Sequence, residues 1–488
     1  MGKYSVPESI RKQKPTGTMV KALKGKYYVY EQKHIKENDK WKIKMGKIIG
    51  SIDPTLGFIP NDNYAKNEEI TTMDFGEYYL ASSLSNDTLN KLRQVFNVKD
   101  AQIIYNIALI HFVNGFTYIK NVKPIYDLSY LSYKYSSISL SEHIVSNMLD
   151  TLGRRQTKVE QFEDLLIDES SKEFAIDGHA IRSSSHDNAL SEEGNKNNIF
   201  KDKQINLLMA YDINTNRPVL SRMYDGATLD KLSIKDLFER RNYSNILFIV
   251  DKGFYSSKNI QLLSSNGNKY IIPLMANTKN YKKLIEDIKT EGLFIYQRGK
   301  KKTAIEYKEL IIDSKTRVFL FRDQTQSAIE SADYLSKIDN DVYTMELYNK
   351  YKDFFGTIIL ESNLNLDKTP EEIYKLYKRR WAIETFYDYY KNRLDVNAIH
   401  LPDYYQTQGL SFIMLITSLI YSDFISKTKE LKKSITDLLL DARFLKIHKK
   451  NGEWKLENTC KRHYDLFSSL GIDLNDELIL MNNIKKAA

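Results

Sequence analysis

Four short apolar stretches decide the expected fold: EFAID (173–177), INLLMAY (205–211), PVLSRMY (218–224) and ILFIVD (246–251). Each favours a strand, and the polar linker DINTNR (212–217) is typical of a hairpin loop. A helix is expected over 229–240. The last stretch has five consecutive apolar residues, as a central strand buried on both faces has. The order β, β, β, α, β predicts an α/β fold built on one sheet.

Two aspartates stand at matching positions in this pattern. Asp177 follows the first predicted strand and Asp251 follows the last, so we expect each to end its strand. Ligands of open α/β sheets bind outside the carboxyl ends of strands, where neighbouring side chains converge. Carboxylate oxygens are the ligands that Mg²⁺ prefers. The alternative is that each Asp is an ordinary turn residue after a strand.

A strongly signalled helix is expected over 369–394. It opens with Thr369, Pro370 and Glu372, which are an N-cap residue, a first-turn proline and the partner of a capping box. TIIL (357–360) precedes it as a further strand. The helix is rich in aromatic side chains, which is not typical of a helix that is exposed to solvent.

One stripe of this helix carries both charge signs. At 100° per residue, Tyr377, Arg380, Glu384 and Lys391 fall within an arc of about 60°. An exposed salt-bridge face is the alternative interpretation. A carboxylate between two cations also suits a site for metal and phosphate, with Glu384 on the metal and the cations on phosphate.

Positive charge is concentrated at the N-terminus. The 488 residues carry a net charge of +9, and residues 1–60 hold 13 Lys and Arg against 5 Asp and Glu, a net of +8. Arg11 and Lys12 lie in what reads as a flexible arm. In the β-prone run 41–49, Lys42 and Lys44 share one face, which suits contact with phosphates. A solvated basic tail is the alternative.

Several classes of protein are excluded by composition. With 42% hydrophobic and 28% charged residues, the chain has ample material for a folded core. Its one cysteine, Cys460, excludes an intrachain disulfide and a cysteine-based zinc site. The N-terminus has no apolar segment typical of a secretory signal, and 410–421 is too short for a membrane span, so we expect a buried helix there. These features predict a cytosolic protein without membrane contact.

The combined motifs resemble a known family. The pattern Tyr377-x2-Arg380-x3-Glu384-x6-Lys391 resembles the Tyr-Arg-Glu-Lys signature of bacterial insertion-sequence DDE transposases of the IS-four type. Asp251-Lys252-Gly253-Phe254 resembles that family's Asp-x-Gly-aromatic motif, and Asp177-Gly178 fits its first carboxylate in a less distinctive context. The resemblance covers roughly residues 172–425.

The resemblance implies a ribonuclease-H-like mixed sheet flanked by helices, in which Asp177, Asp251 and Glu384 are catalytic and hold two Mg²⁺ ions, with Mn²⁺ as a substitute. Tyr377, Arg380 and Lys391 would bind the transposon-end DNA. Gly253 would allow a tight turn after the metal ligand Asp251. The implied activity is nicking and strand transfer at the inverted repeats of an insertion sequence, by a homodimer acting on double-stranded end and target DNA. A nuclease without strand transfer and a decayed derivative that only binds DNA remain alternatives.

The expected layout places a small basic β module and a helical region before a catalytic domain that is interrupted by a β-rich insertion. The predicted ranges are a DNA-binding arm (1–75), a helical DNA-binding or linker domain (76–170), the first catalytic part (171–268), the insertion (269–355), the second catalytic part (356–430) and a helical tail (431–488). His179 and His186 lie near Asp177, and a proton-shuttle role is a weaker hypothesis for them.

Overall fold

The computed structural model describes residues 6–37, 40–61, 72–185, 187–194, 203–228, 230–276, 278–285, 289–338, 343–394, 396, 398–450 and 452–484. The chain forms two compact units. The first contains residues 1–73, 446–457 and 482–488, and the second contains residues 74–445 and 458–481.

The first unit is built on a four-stranded antiparallel sheet in the order β1-β2-β3-β4. Its elements are α1 (Glu8–Arg11), β1 (Thr18–Leu23), β2 (Lys26–Glu37), β3 (Lys40–Asp53) and β4 (Gly57–Pro60). The predicted strands are confirmed. The predicted flexible arm is wrong, because Ile10 of α1 is buried against Val29, Ile49 and Ile52 and so ties Arg11 and Lys12 to the sheet.

The tail predicted to be helical also contains strands. β17 (Lys446–Lys450) and β18 (Glu453–Glu457) pair as a hairpin, and a three-stranded sheet runs β18-β17-β5, where β5 is Thr72–Asp74. The tail is therefore helical only outside this hairpin, in α17 (Ile435–Arg443), α18 (Lys461–Ser469) and α19 (Leu474–Ile484).

A helical layer opens the second unit, as expected for 76–170. Its helices are α2 (Gly76–Leu84), α3 (Asn86–Val95), α4 (Val98–Asn114), α5 (Ile119–Leu128), α6 (Leu131–Lys134), α7 (Glu142–Arg154) and α8 (Gln156–Asp168). Local chemistry sets their ends. Asn97 caps α4 by accepting a hydrogen bond from the backbone of Asp100, and Gly115 ends it with φ of 83°.

The large sheet of the second unit has the strand order of a ribonuclease-H-like fold. Its core strands are β6 (Glu173–Ser183), β8 (Lys203–Asp212), β9 (Arg217–Asp225), β10 (Leu247–Val250) and β11 (Lys269–Pro273). They lie in the order β9-β8-β6-β10-β11, in which β6, β8 and β9 are antiparallel while β10 and β11 run parallel to β6. The predicted mixed α/β fold is confirmed.

The β-rich region after this core extends the same sheet. β12 (Gly292–Arg298), β13 (Lys301–Ile311), β14 (Arg317–Asp323) and β15 (Thr357–Ser362) continue it in the order β12-β13-β14-β15-β11, with antiparallel pairing. β11 falls inside the range predicted for the insertion, yet it is hydrogen-bonded to β10 as the fifth core strand. Two short strands complete the sheet, β7 (Glu192–Glu193) and β16 (Ala398–Ile399).

Helices flank the sheet. They are α9 (Asp230–Arg240), α10 (Ser257–Leu263), α11 (Lys279–Ile285), α12 (Gln324–Leu335), α13 (Met345–Tyr351), α14 (Pro370–Lys378), α15 (Trp381–Asn392) and α16 (Tyr404–Thr428). As predicted, 410–421 lies in a buried helix. In the part of the chain that is described, α16 with the short turn after it is one segment long and apolar enough to cross a membrane, and 83% of its most apolar window is buried in the fold.

Close backbone contact joins α16 to α7. A Cβ atom added at Gly153 of α7 would lie 1.8 Å from the carbonyl oxygen of Tyr405, and one at Gly409 would lie 2.0 Å from that of Leu149. Glycine at both positions therefore lets the two helix backbones approach.

Candidate active site

Asp177 lies inside strand β6 and does not end it. β6 continues to Ser183, so the expectation that Asp177 follows the end of its strand is wrong. The reason is pairing: β6 is held along this whole stretch by antiparallel β8, where Asp177 is opposite Met209. The backbone N–H of Gly178 donates to Asp177 Oδ1 at 2.8 Å.

Asp251 does follow the end of its strand, as predicted. β10 stops at Val250, which is paired with Ile176, so the residues after this pair are Asp177 and Asp251 on neighbouring parallel strands. A 3-10 turn over Lys252–Phe254 comes next. Gly253 lies in this turn, and it is not among the described glycines with positive φ, so its φ alone does not require glycine.

The predicted single helix over 369–394 is broken into α14 and α15. The capping box at its start is confirmed, since Thr369 and Glu372 bond each other's backbone N–H groups. At the break, the N–H of Arg380 donates to Tyr377 O and that of Ala382 donates to Arg379 O, each spanning three residues. The Arg379 guanidinium donates to Ile213 O at 3.1 Å and also bonds Asn214, which anchors the break to the loop after β8.

The break places Arg380 between the carboxylates. Its Nη1 lies 3.5 Å from Asp177 Oδ2, and its Nη2 donates to Glu384 Oε1. Burial disfavours its charge, but the surrounding Tyr377, Asp177, Asp251 and Glu384 raise the pKa of Arg380 above its ordinary value. The guanidinium is therefore ion-paired with Asp177 and Glu384, and the charge of Asp251 also favours its protonated form.

Tyr377 lies beside the same guanidinium, which is 5.8 Å from the centroid of its ring. Burial raises the pKa of Tyr377 to about 12, Arg380 opposes the rise, and Asp251 adds to it. The phenol is therefore neutral at pH 7 and available as a hydrogen-bond donor.

Two neighbouring cavities divide the predicted site residues. One, of about 450 Å³, is lined by Asp177, Glu384 and Lys391. The other, of about 690 Å³, is lined by Asp251, Gly253 and Tyr377. The structure thus brings Asp177, Glu384 and Lys391 to one cavity and Asp251 to another, and Arg380 is ion-paired with Asp177 and Glu384 of the first.

The donor chemistry suits Mg²⁺, but the described arrangement does not form its site. Carboxylate oxygens are the right ligands for a hard cation. Among the described residues, however, no three Asp, Glu, His or Cys side chains are grouped so that they could hold a metal ion. Two of the three predicted ligands are instead ion-paired with Arg380. The residues as arranged do not fit the two ions that the sequence implies.

Other predicted residues fall as follows. The ring of His179 lies 5.2 Å from that of Tyr387, whose hydroxyl donates to Asp177 O at 2.8 Å, so His179 lines the cavity edge. His186 lies outside the described residues. In the first unit, Arg11, Lys12, Lys42 and Lys44 are all exposed, and Lys42 and Lys44 alternate with Trp41, Ile43 and Met45 along β3 as predicted.

Sequence reasoning missed the contribution of the β12–β13 hairpin. Arg298, at the end of β12, lines the same cavity as Asp177 and Glu384. Its guanidinium lies 3.9 Å from the ring of Trp381, the first residue of α15. The signal was present as the run Arg298-Gly299-Lys300-Lys301-Lys302 inside the predicted β-rich insertion, but its place beside the cavity depends on tertiary packing.

Residues 169–420, slightly more than half of the chain, match the profile of a family described as the transposase DDE domain. A solved structure similar to the chain is the cryo-EM structure of the piggyBac transposase synaptic complex with hairpin DNA, at 12% sequence identity and a TM-score of 0.39 over 75% of this chain and 77% of that chain. No curated protein matches the sequence.

Proposed function

We propose, from the premise that the chain belongs to the transposase DDE domain family, that it is a DNA transposase that nicks DNA and transfers strands by phosphoryl transfer. One observation supports this most directly. Asp177 of β6 and Glu384 of α15 are 207 positions apart in sequence, yet both are ion-paired with one guanidinium, and Asp251 lies on the strand beside Asp177, because it directly follows the pair of Val250 with Ile176. Such convergence is expected of an active site and not of three unrelated turn or surface residues.

Each residue has a proposed role. Asp177, Asp251 and Glu384 would hold Mg²⁺ or Mn²⁺, which would activate the attacking oxygen and stabilise the leaving oxygen in a displacement at phosphorus. Lys391, in the last turn of α15, contacts a phosphate of the bound DNA strand. Neutral Tyr377 donates a hydrogen bond to a phosphate oxygen of the same strand. Arg380 is the third DNA contact, and Arg11, Lys12, Lys42 and Lys44 of the first unit add phosphate contacts that carry no base specificity.

The proposal requires a rearrangement at Arg380. In the described state its guanidinium neutralises the carboxylates that divalent ions would need, and a guanidinium is also a strong phosphate binder. We propose that Arg380 leaves Asp177 and Glu384 when DNA phosphate is present, which makes the carboxylates available. Arg380 then pairs with the carboxylates in the absence of DNA and with a phosphate when DNA is bound.

The remaining parts of the proposal come from the resemblance. The DNA partners are double-stranded terminal inverted repeats and target DNA, bound by a homodimer in a synaptic complex. The setting is the cytoplasm of a bacterium, near its nucleoid, with the protein as part of an insertion sequence of the IS-four type.

The test replaces each carboxylate by its amide: Asp177→Asn, Asp251→Asn and Glu384→Gln. The DNA is a duplex that carries the sequence bordering the coding region, with Mg²⁺ or Mn²⁺ added. We expect each variant to lose cleavage while binding DNA as the wild type does. Glu239→Gln is the matched control, because Glu239 also pairs with a cation four residues earlier in its helix but lies away from the cavity.

Retained cleavage in the three variants would sink the assignment. A second assay, strand transfer from pre-cut ends, separates the alternatives. Cleavage without transfer would indicate a ribonuclease-H-like nuclease, and DNA binding without either reaction would indicate a decayed derivative.

A further inference from the structure

A strongly cationic cavity adjoins the catalytic one. It has a volume of about 640 Å³ and lies between the β12–β13 hairpin and the start of α15. Five of its lining residues are cations and one is a carboxylate, Asp323. The cations are Arg298, Lys300, Lys301, Lys302 and Lys378. We call Arg298 to Lys302 the basic turn.

The cavity at the basic turn adjoins the cavity that contains Asp177 and Glu384. Arg298 and Trp381 line both cavities, and the Arg298 guanidinium lies over the Trp381 ring at 3.9 Å. This contact fixes one end of the basic turn against the first residue of the helix that carries Glu384. A strand of DNA leaving the carboxylates past Trp381 would therefore meet the basic turn next.

The positive charge of this surface is not neutralised by the protein. Across the described ranges, no carboxylate forms an ion pair with Arg298, Lys300, Lys301 or Lys302. The Asp323 carboxylate instead accepts hydrogen bonds from Thr303 Oγ1 and from the backbone of Gln326. Burial lowers the pKa of Lys378; Asp323 and Glu384 oppose this, while Arg298 and Arg380 add to it. An anion in the cavity would relieve this mutual repulsion.

The hairpin holds the basic turn in a defined position. Arg298 pairs with Lys301 across the turn, and Gly299 has φ of 61°, which suits a tight hairpin. On β12, the rings of Phe294 and Tyr296 lie 5.6 Å and 5.2 Å from the ring of Tyr374 in α14. The cations are thus presented beside the catalytic helix by packed aromatic side chains.

We propose that the basic turn binds the phosphodiester backbone of the DNA strand that continues from the catalytic cavity. This inference rests on the proposed function and deepens it. The expected recognition is through phosphate charge, because four of the five residues of the basic turn are cations. The basic turn therefore contributes affinity and orientation without sequence preference.

The test compares two triple variants that remove the same charge. Lys300→Gln/Lys301→Gln/Lys302→Gln alters the basic turn. Lys315→Gln/Lys350→Gln/Lys352→Gln removes three exposed lysines of the same unit, one of them in the loop at the far end of β13. Binding of a fluorescent duplex is measured by anisotropy without divalent metal across a range of salt, with thermal melting to show that both variants fold.

We expect the basic-turn variant to bind more weakly at low salt and to lose less affinity as salt rises. Its plot of log affinity against log salt should be shallower than that of the wild type by about 1 for each lysine that contacts a phosphate. The control should keep the wild-type slope. An equal slope for the basic-turn variant and wild type would overturn the proposal.

A crosslinking measurement keeps the two proposals apart. In a Cys460→Ser background, which removes the one native cysteine, Lys301→Cys and Lys315→Cys are reacted with DNA that carries a thiol tether on single phosphates. We expect crosslinks from position 301 at phosphates adjoining the cut site, and equal yields from both positions would contradict the inference. Failure of the wild type to cleave counts instead against the proposed function, since neither binding measurement requires cleavage.

Discussion

The guanidinium of Arg380 and the carboxylate of Asp177 form an ion pair, with Nη1 3.5 Å from Oδ2, between residues 203 positions apart in sequence. The pair joins the middle of β6 to the start of α15. Because Glu384 pairs with the same guanidinium, one cation is bound to two of the three predicted catalytic carboxylates. A divalent cation would therefore have to compete with Arg380 for Asp177 and Glu384.

The first prediction concerns competition between Arg380 and divalent cations. Without DNA, Arg380→Ala should bind Mn²⁺ about tenfold more tightly than the wild type, equivalent to ~1.4 kcal/mol, because the competing charge is gone. Isothermal titration calorimetry measures this directly. Arg154→Ala is the control, since Arg154 forms a comparable pair with a carboxylate four residues earlier, Asp150 of α7, and does not contact Asp177 or Glu384. Equal Mn²⁺ affinity in the wild type and in Arg380→Ala would show that Arg380 does not compete with divalent cations for the carboxylates.

A second prediction concerns the buried ion pair between Glu163 and Arg222. Their side chains are 2% and 8% exposed, with Arg222 Nη1 2.7 Å from Glu163 Oε1. Arg222→Met should reduce the free energy of unfolding by about 3–5 kcal/mol, because it removes the main partner of a buried carboxylate. Urea denaturation gives the value. The exposed pair of Lys235 and Glu239 provides the comparison, where Lys235→Met should cost less than about 1 kcal/mol.

A third prediction concerns pH. Burial lowers the pKa of His111 from 6.5 to about 4, against a smaller opposing effect of a backbone hydrogen bond at Gly115. Between these values the unfolded chain binds a proton that the folded chain does not, so stability falls as pH falls from about 6.5 to 4. At pH 4.5 the loss from this group is about 2–3 kcal/mol.

His111→Gln should therefore lose less stability than the wild type when urea unfolding is compared at pH 7 and pH 4.5. The exposed His143 serves as the control, and His143→Gln should follow the wild-type profile. A parallel profile for His111→Gln would mean that the pKa of His111 is the same in the folded and the unfolded chain.

A fourth prediction concerns the contact of α7 with α16. Gly409→Ala should destabilise the protein by about 1–3 kcal/mol or more, because its Cβ would fall 2.0 Å from backbone atoms that cannot move independently of α7. Thermal melting followed by circular dichroism measures the loss. Ser426→Ala, on the exposed side of the same helix, should leave the melting temperature almost unchanged. A similar small effect at Gly409 would show that the two helices can separate at little cost.

Local chemistry made much of the architecture predictable. The strands at 173–177, 205–211, 218–224 and 246–250, the cap at Thr369 and the stop at Gly115 all follow from side-chain patterns within a few residues. The carboxylate at the end of β10 was also predictable, since an apolar run that ends on Asp251 marks the edge of a buried strand.

The sequence by itself determined which side chains are available to the site and which elements carry them. Only the tertiary structure decided how they meet. β6 extends past Asp177 while β8 pairs with it. The helix breaks at Arg380 where Arg379 is bonded to the loop after β8. The basic turn lies beside the catalytic cavity because β12 packs on Tyr374 and Trp381. Each outcome depends on hydrogen bonds and packing between residues far apart in the chain, for which no local pattern in the sequence carries a signal.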